Sequence, residues 1–84
     1  MKTIHDQNYI VLINCLKNIR RGKNLTQIEL ASFLNKDQSY VSKYERCERR
    51  LDFIELRYIC KALDISMYEF INIYENELKK CGIE

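Results

Sequence analysis

The sequence predicts an all-α domain of five helices, and three observations support this fold class. Apolar residues recur every three or four positions along nearly the whole chain, which is the period of a helix with one buried face. Several short segments carry the residue pattern of a helix start. The sequence contains no proline, and it has no low-complexity tract that would separate domains. We therefore expect a single domain over residues 1–84 without strands.

The first predicted helix runs from residue 6 or 7 to about residue 21. Its apolar stripe contains Leu12, Leu16 and Ile19, and Gly22 weakens its end. The second predicted helix begins at Thr26, whose hydroxyl can cap the helix while Glu29 completes a capping box.

The third predicted helix follows after a tight turn. Asn35 lies where the chain must turn, and asparagine tolerates a left-handed backbone. Asp37 is placed to cap a helix from residue 38 to about residue 46, in which Val41 and Tyr44 face inward. The polar residues at its start and on its outer face are Gln38, Ser39, Ser42 and Lys43. Such side chains on a short helix can contact base edges in the DNA major groove.

The last two helices repeat the pattern of the second. Asp52 with Glu55 predicts the start of a fourth helix, and Ser66 with Glu69 predicts the start of a fifth. The fifth helix should run from residue 67 to about residue 80. These capping patterns make the helix starts the most strongly specified local features of the fold.

Composition excludes several classes of protein. There is no apolar stretch of about 20 residues, so the sequence predicts no transmembrane helix. The first residues lack the apolar core of a signal peptide, which favours a cytoplasmic location. With 46% hydrophobic and 31% charged residues, the composition is that of a folded protein in water.

The net charge of +2 conceals an asymmetry between the two halves of the chain. Residues 1–50 hold ten Lys/Arg and five Asp/Glu, a balance of +5, whereas residues 51–84 hold four and seven, a balance of −3. Basic residues flank the second and third helices on both sides, which favours attraction to phosphate. The alternative is that they form a solvated charged surface.

The cysteines and the single histidine do not form a recognisable metal site. Cys15, Cys47, Cys60 and Cys81 lie far apart in the sequence, and His5 is distant from all four. We expect Cys15 and Cys60 to be small buried residues, with no metal and no cofactor. An enzyme is disfavoured because the sequence has no ligand cluster and no glycine-rich loop.

Residues 12–72 resemble the phage-repressor and Cro family of bacterial regulators, also called the XRE family. The resemblance rests on the joint pattern Leu25-Thr26-Gln27, Leu30-Ala31, Leu34, Gln38 to Glu45 and Glu48-Arg49-Arg50-Leu51, and it continues through Glu55-Leu56, residues 59–63 and Phe70. It implies a five-helix domain in which the second and third helices form a helix-turn-helix and the third enters the major groove. Double-stranded DNA is the implied partner.

The resemblance also assigns roles to individual side chains. It implies that Gln38 and Ser39 contact bases or adjacent phosphates, and that Gln27 both contacts a phosphate and steadies Gln38. Ser42 and Lys43 lie one turn further along, where Lys43 can reach a guanine or a phosphate. Tyr40 is expected either near the DNA backbone or packed on the second helix. The full set of candidates for phosphate contact is Thr26, Gln27, Tyr40, Arg21, Lys23, Arg46, Arg49 and Arg50.

Two further expectations come from the same comparison of patterns. An arginine near the end of helix one pairs with a glutamate near the end of helix three in this family, which here implies a structural ion pair between Arg20 and Glu45. The family has glycine in left-handed turns where this sequence has Asn24 and Cys47. Asparagine is the next best residue there, but cysteine costs about 1 kcal/mol in this conformation. Either the turn at Cys47 differs from that of the family, or the strain is tolerated.

The C-terminal helix, about residues 66–81, is a candidate dimerisation element. Its apolar stripe exceeds what a small core needs, and many short members of the family dimerise through this helix. The candidate interface residues are Phe70, Ile71, Tyr74 and Leu78. Alternatively, Tyr74 and Leu78 fold back onto residues 9–11.

These patterns lead to two hypotheses for function. The first is a sequence-specific transcriptional regulator, either a small dimeric repressor or the controller of a restriction–modification operon, that binds an inverted-repeat operator. The second is an antitoxin-like module that binds a protein partner as well as its own operator.

Overall fold

The computed structural model describes residues 6–83 and consists of five helices. They are α1 (Gln7–Gly22), α2 (Gln27–Phe33), α3 (Gln38–Glu45), α4 (Phe53–Ala62) and α5 (Met67–Lys80). No strand occurs within residues 6–83. The predicted all-α class and helix order are therefore confirmed, while His5 lies outside the described residues.

The helix starts follow the predicted capping pattern with two corrections. Thr26 and Asp52 each form a complete capping box, with Glu29 and Glu55 respectively. Asp37 occupies the N-cap position of α3, but its side chain makes no capping hydrogen bond. The hydroxyl of Ser66 accepts from the backbone N–H of Glu69, but the return hydrogen bond from the backbone N–H of Ser66 to the Glu69 side chain, which would complete the predicted capping box, is not formed. An extended backbone at the N-cap therefore starts α3 without help from the side chain of that residue.

All five helices are followed, two residues after their last residue, by a residue with a left-handed backbone. Four of these residues are not glycine: Asn24, Asn35, Cys47 and Asp64 have φ between 55° and 59°. In each case the next backbone N–H reaches back to a carbonyl five residues earlier, as in the 2.8 Å bond from Glu48 to Lys43. The expected left-handed turns at residues 24 and 35 are confirmed, and of the two alternatives for Cys47 the strained left-handed turn is the one present. The turn at Asp64 was not anticipated.

The core is built around α1, which contacts both α3 and α5. Ile13 and Leu16 of α1 are fully buried, together with Tyr44 of α3 and Ile59 of α4. Cys15 and Cys60 are also buried and free, as expected for small apolar residues. Helix α1 therefore supports the inner face of α3, and the opposite face of α3 is exposed to solvent.

Helix α5 packs back onto α1, which corrects the expected exposed stripe. Phe70 is 1% exposed and Leu78 is 6% exposed, because both belong to the core of the protomer. Tyr74 is half-buried, stacks on Phe70 and donates from its hydroxyl to the carbonyl of Asn8 at 2.9 Å. Among the four candidate interface residues, Ile71 is the one with a largely exposed side chain, at 46%. Phe70 and Leu78 are thus unavailable for contact with another molecule.

The described residues offer neither a membrane span nor a metal site. No helix there is both long and apolar enough to span a membrane. Residues 6–83 also contain no group of three or more His, Cys, Asp or Glu side chains that could hold a metal ion.

Candidate nucleic-acid interface

Helices α2 and α3 form a compact pair whose outer face is polar. Leu30 and Ala31 of α2 are buried in the same core as Val41 and Tyr44 of α3. The small side chain of Ala31 allows the two helices to approach closely. Gln38, Ser39 and Lys43 are consequently exposed, and Ser42 is half-buried. The structure thus places all four predicted base-contacting residues on or beside the outward face of α3.

Gln38 is held at the start of α3 by Gln27 at the start of α2. The Nε2 of Gln38 donates to the Oε1 of Gln27 at 2.6 Å, although the two residues are eleven positions apart. Gln27 in turn donates from Nε2 to the Oε1 of Glu45 at 2.8 Å. The side chain that the sequence assigns to base recognition is thus connected to the interior of the domain.

The buried end of this chain is the ion pair between Arg20 and Glu45. The Nε of Arg20 donates to Oε2 of Glu45 at 2.7 Å, and Nη2 donates to Oε1 at 3.1 Å. The third nitrogen of Arg20, Nη1, donates to the carbonyl of Leu25 at 2.6 Å. The hydrogen bonds to Glu45 raise the pKa of Arg20 above its usual value. Both side chains are buried. The implied pairing of Arg20 with Glu45 is therefore present.

This ion pair determines which way the two amides point. A carboxylate can only accept hydrogen bonds, so Gln27 must turn its Nε2 towards Glu45 and its Oε1 towards Gln38. Gln38 must then donate through one N–H of its own Nε2. Its second N–H and its Oε1 remain available, and these are the donor and acceptor needed for N7 and N6 of adenine.

A second polar cluster lies at the other end of α3. Arg46 donates from Nη1 to the hydroxyl of Ser42 at 2.7 Å. Its Nε and Nη2 donate to the two carboxylate oxygens of Glu48, each at 3.0 Å. These hydrogen bonds raise the pKa of Arg46 and lower the pKa of Glu48. Arg46, a predicted phosphate contact, is therefore already paired within the protein.

Tyr40 is half-buried and contacts α4 through its hydroxyl. Its ring makes an edge-on contact with Tyr44, and its hydroxyl donates to Oε2 of Glu55 at 3.3 Å. Arg49 lies over the ring, 4.8 Å from its centre, and also pairs with Glu55. Burial is the main cause that raises the pKa of Tyr40 to about 12. Tyr40 and Arg49 thus support the junction between α3 and α4.

This arrangement of two short helices and an ordered connection is found in proteins of known family. A family model described as helix-turn-helix matches residues 16–70 of the chain. The chain belongs to this family. A search of curated protein sequences found no match.

Solved structures agree with this helix-turn-helix assignment. The restriction–modification controller protein C.Esp1396I is 32% identical, with a TM-score of 0.86 over 90% of this chain and 99% of that one. The same controller, solved as a tetramer with its natural 35 base-pair operator, matches at 31% identity and a TM-score of 0.83, over 88% of this chain and 97% of that one. An XRE-family like protein from Pseudomonas syringae pv. tomato str. DC3000 is 40% identical, with a TM-score of 0.80 over 89% and 92% of the two chains. The implied XRE-type fold is therefore confirmed.

The remaining candidates for phosphate contact are distributed around this helix-turn-helix core. Thr26, Arg21 and Arg50 are exposed. Lys23 is exposed as well, but its Nζ donates to the carbonyl of Asp64 at 3.3 Å, which directs it towards the turn between α4 and α5. Its role as a phosphate contact stays a prediction, as do those of the other candidates.

One residue that positions this surface was missed in the sequence. The hydroxyl of Tyr9, on α1, accepts from the backbone N–H of Leu51 at 2.9 Å and donates to the carbonyl of Arg49 at 3.2 Å. These two hydrogen bonds hold the segment that carries Arg49 and Arg50 against α1. A tyrosine near the start of a helix is ordinary in sequence, and the contact spans about 40 residues, so no local pattern could have indicated it.

Proposed function

We propose that this protein is a sequence-specific DNA-binding regulator of transcription that contacts its operator through α3. The observation that carries the proposal is the position of Gln38, which is exposed at the start of α3 yet held by Gln27 and, through it, by a buried ion pair. A side chain ordered in this way before binding loses little conformational freedom on binding. An exposed polar side chain contributes little to folding, so its ordered position is better explained by recognition of a specific partner.

The comparison structures support a controller of the restriction–modification type over the antitoxin-like alternative. Two of the matches reported above concern one such controller, and one of them was solved on its own operator. Double-stranded DNA is accordingly the proposed partner. The proposed activity is binding alone, without a chemical reaction, and the whole of residues 1–84 forms the proposed binding domain.

We further propose that the active form is a homodimer with an interface on the outward faces of α4 and α5. A single recognition helix contacts only a few base pairs, which is too little to select one site in a genome. Since Phe70 and Leu78 are buried, the interface moves to exposed apolar side chains on α5, namely Tyr68 at 89% and Ile71 at 46%, and on α4, namely Phe53 and Ile54. Two copies related by a two-fold axis would place both α3 helices in major grooves about 34 Å apart, on an inverted repeat.

Selection of duplexes from a randomised pool tests the DNA-binding proposal. We expect the wild-type protein to enrich an inverted repeat. Affinity for this duplex should fall by roughly 10³–10⁵ between 50 and 200 mM salt if the dimer contacts about six to ten phosphates. Enrichment of no common sequence, or an affinity that does not change with salt, would contradict the proposal.

Sedimentation of the free protein tests the dimer separately. Replacing Tyr68 and Ile71 with Asp and Lys should give a folded monomer that binds a half-site weakly. Phe33→Asp, which changes an exposed aromatic residue at the end of α2, is the matched control and should remain dimeric. A wild-type monomer that protects a single half-site without symmetry would rule out the dimer.

A further inference from the structure

The cluster of Ser42, Arg46 and Glu48 at the C-terminal end of α3 is not explained by the requirements of folding. Arg46 and Glu48 have side chains that are 57% and 54% exposed, and an ion pair so accessible to water adds little to stability. Nevertheless, Arg46 makes three hydrogen bonds, two to Glu48 and one to Ser42. An exposed guanidinium held at three points has a well-defined direction.

The left-handed turn at Cys47 makes this pairing possible. Residues two apart on a helix point in different directions and do not meet. Here α3 ends at Glu45, and Cys47 has φ of 57°, so the chain folds back and brings Glu48 beside Arg46. The backbone N–H of Glu48 also bonds to the carbonyl of Lys43 at 2.8 Å, which holds Glu48 against the last turn of the helix.

The pairing has two consequences for contact with DNA. First, the carboxylate of Glu48 offsets the positive charge of Arg46, which reduces its attraction to phosphate in general. Second, a guanidinium has five N–H donors, and with three in use two remain. Arg46 therefore keeps two free directional donors, while the net charge of the Arg46–Glu48 pair is close to zero.

The two remaining N–H donors of Arg46 match the acceptor pattern of one base in the major groove. Guanine presents two acceptors there, O6 and N7, whereas adenine and thymine each present one acceptor. Arg46 lies four residues after Ser42 and eight after Gln38, so all three positions fall along one side of the recognition helix. Arg46 is therefore placed to extend the row of predicted base-contacting residues beyond Ser42.

We propose that Glu48 is a specificity-determining residue, which orients Arg46 towards a guanine in the operator and withdraws it from non-specific contact with phosphate. Glu48 acts as a positioning residue, since it shapes the contact through Arg46. The proposal rests on the proposed DNA-binding function, and it changes the predicted role of Arg46 from phosphate contact to base contact.

Binding measurements on the duplex enriched by the wild-type protein test this proposal. One position in each half-site should require guanine, and replacing that base with 7-deazaguanine, which lacks the N7 acceptor, should weaken binding. In Glu48→Gln, the preference for guanine at that position should fall at least about fivefold. Affinity for unrelated duplexes should rise. The slope of log affinity against log salt concentration should become more negative by about 0.9 for each arginine freed to contact phosphate.

Four further variants define the controls. Arg46→Lys keeps the charge but lacks the planar pair of donors, so it should lose the preference for guanine. In an Arg46→Ala background, Glu48→Gln should no longer change the preference. Glu75→Gln makes the same change of charge at an exposed position of α5 and should leave the preference intact. Thermal unfolding should be nearly unchanged in each variant, because these side chains are exposed.

The outcomes separate this proposal from the proposed function. If the wild-type protein enriches no sequence, the proposed function itself fails. If it enriches a sequence but Glu48→Gln strengthens binding to every duplex by the same factor, Glu48 merely repels phosphate and the proposal is overturned. An unchanged preference for guanine in Glu48→Gln, or an equal loss of affinity for all duplexes in Arg46→Lys, would overturn it as well.

Discussion

Arg20 and Glu45 form a buried, two-point ion pair that joins the end of α1 to the end of α3. The same carboxylate accepts a hydrogen bond from Gln27, which in turn accepts one from Gln38. One pair of residues thus contributes both to the stability of the domain and to the order of its outward surface. The first two predictions separate these contributions.

Removing the guanidinium should strongly destabilise the fold. We expect Arg20→Ala to lower the free energy of unfolding by about 3–5 kcal/mol, because it leaves the buried carboxylate of Glu45 without its charged partner. Urea denaturation measures this change. Arg46→Ala, which breaks an exposed ion pair, is the control and should have little effect. A loss below about 1 kcal/mol for Arg20→Ala would show that the pair is not structural.

Removing the amide of Gln27 should reduce specificity instead of stability. Gln27→Ala frees Gln38 from its hydrogen bond, so discrimination at the base pair contacted by Gln38 should fall by about 1–3 kcal/mol, as in Gln38→Ala. The double variant should lose little more than either single one, because both changes break the same unit. Competition binding with single-base variants of the operator measures this. Arg50→Ala should instead weaken all duplexes about equally.

Replacing Cys47 with glycine should stabilise the protein. Its φ of 57° is a left-handed conformation that costs a side chain about 1 kcal/mol, and glycine avoids this cost. We expect Cys47→Gly to raise the free energy of unfolding by up to this amount, less the small contact that Cys47 makes with the core. Thermal denaturation checks the sign. Cys47→Ala keeps the strained conformation, so a matching gain in that variant would contradict the explanation.

The hydroxyl of Tyr44 should be dispensable for stability. It is buried and has no hydrogen-bond partner among residues 6–83, and a buried polar group without a partner costs about 1–3 kcal/mol. Tyr44→Phe should therefore leave the free energy of unfolding unchanged or raise it. Tyr74→Phe, which removes the hydrogen bond to Asn8, should lower it by about 1 kcal/mol. A destabilised Tyr44→Phe would reveal a partner for this hydroxyl, such as a buried water.

Stability should decline in strong alkali, with Tyr40 as one of the causes. Burial raises the pKa of Tyr40 from 10.0 to about 12, so its stabilising contribution is complete below pH 10 and is lost as the pH rises through about 12. We expect unfolding curves of Tyr40→Phe to depend less steeply on pH than those of the wild type between about pH 10 and 12. Identical pH dependence in the two proteins would show that Tyr40 does not contribute.

The sequence by itself determined the local features of this protein. The capping boxes at Thr26 and Asp52, and the left-handed turn at Asn35, depend on residues within about five positions of one another, and all three are present. The left-handed turn at Asn24 is present as well, but it was predicted from the resemblance to a family. The ion pair between Arg20 and Glu45 was also predicted, but from the resemblance to a family and not from local chemistry.

The tertiary structure decided which surfaces remain open and how the polar side chains are connected. Burial of Phe70 and Leu78 follows from the packing of α5 on α1, and the apolar pattern of α5 does not say which side chains a distant helix will cover. The clamp from Tyr9 to Leu51 joins residues 42 positions apart. The pairing of Arg46 with Glu48 depends on a backbone turn that lies outside the helical spacing. Capping is local, whereas burial and long-range hydrogen bonds exist only once the helices have packed.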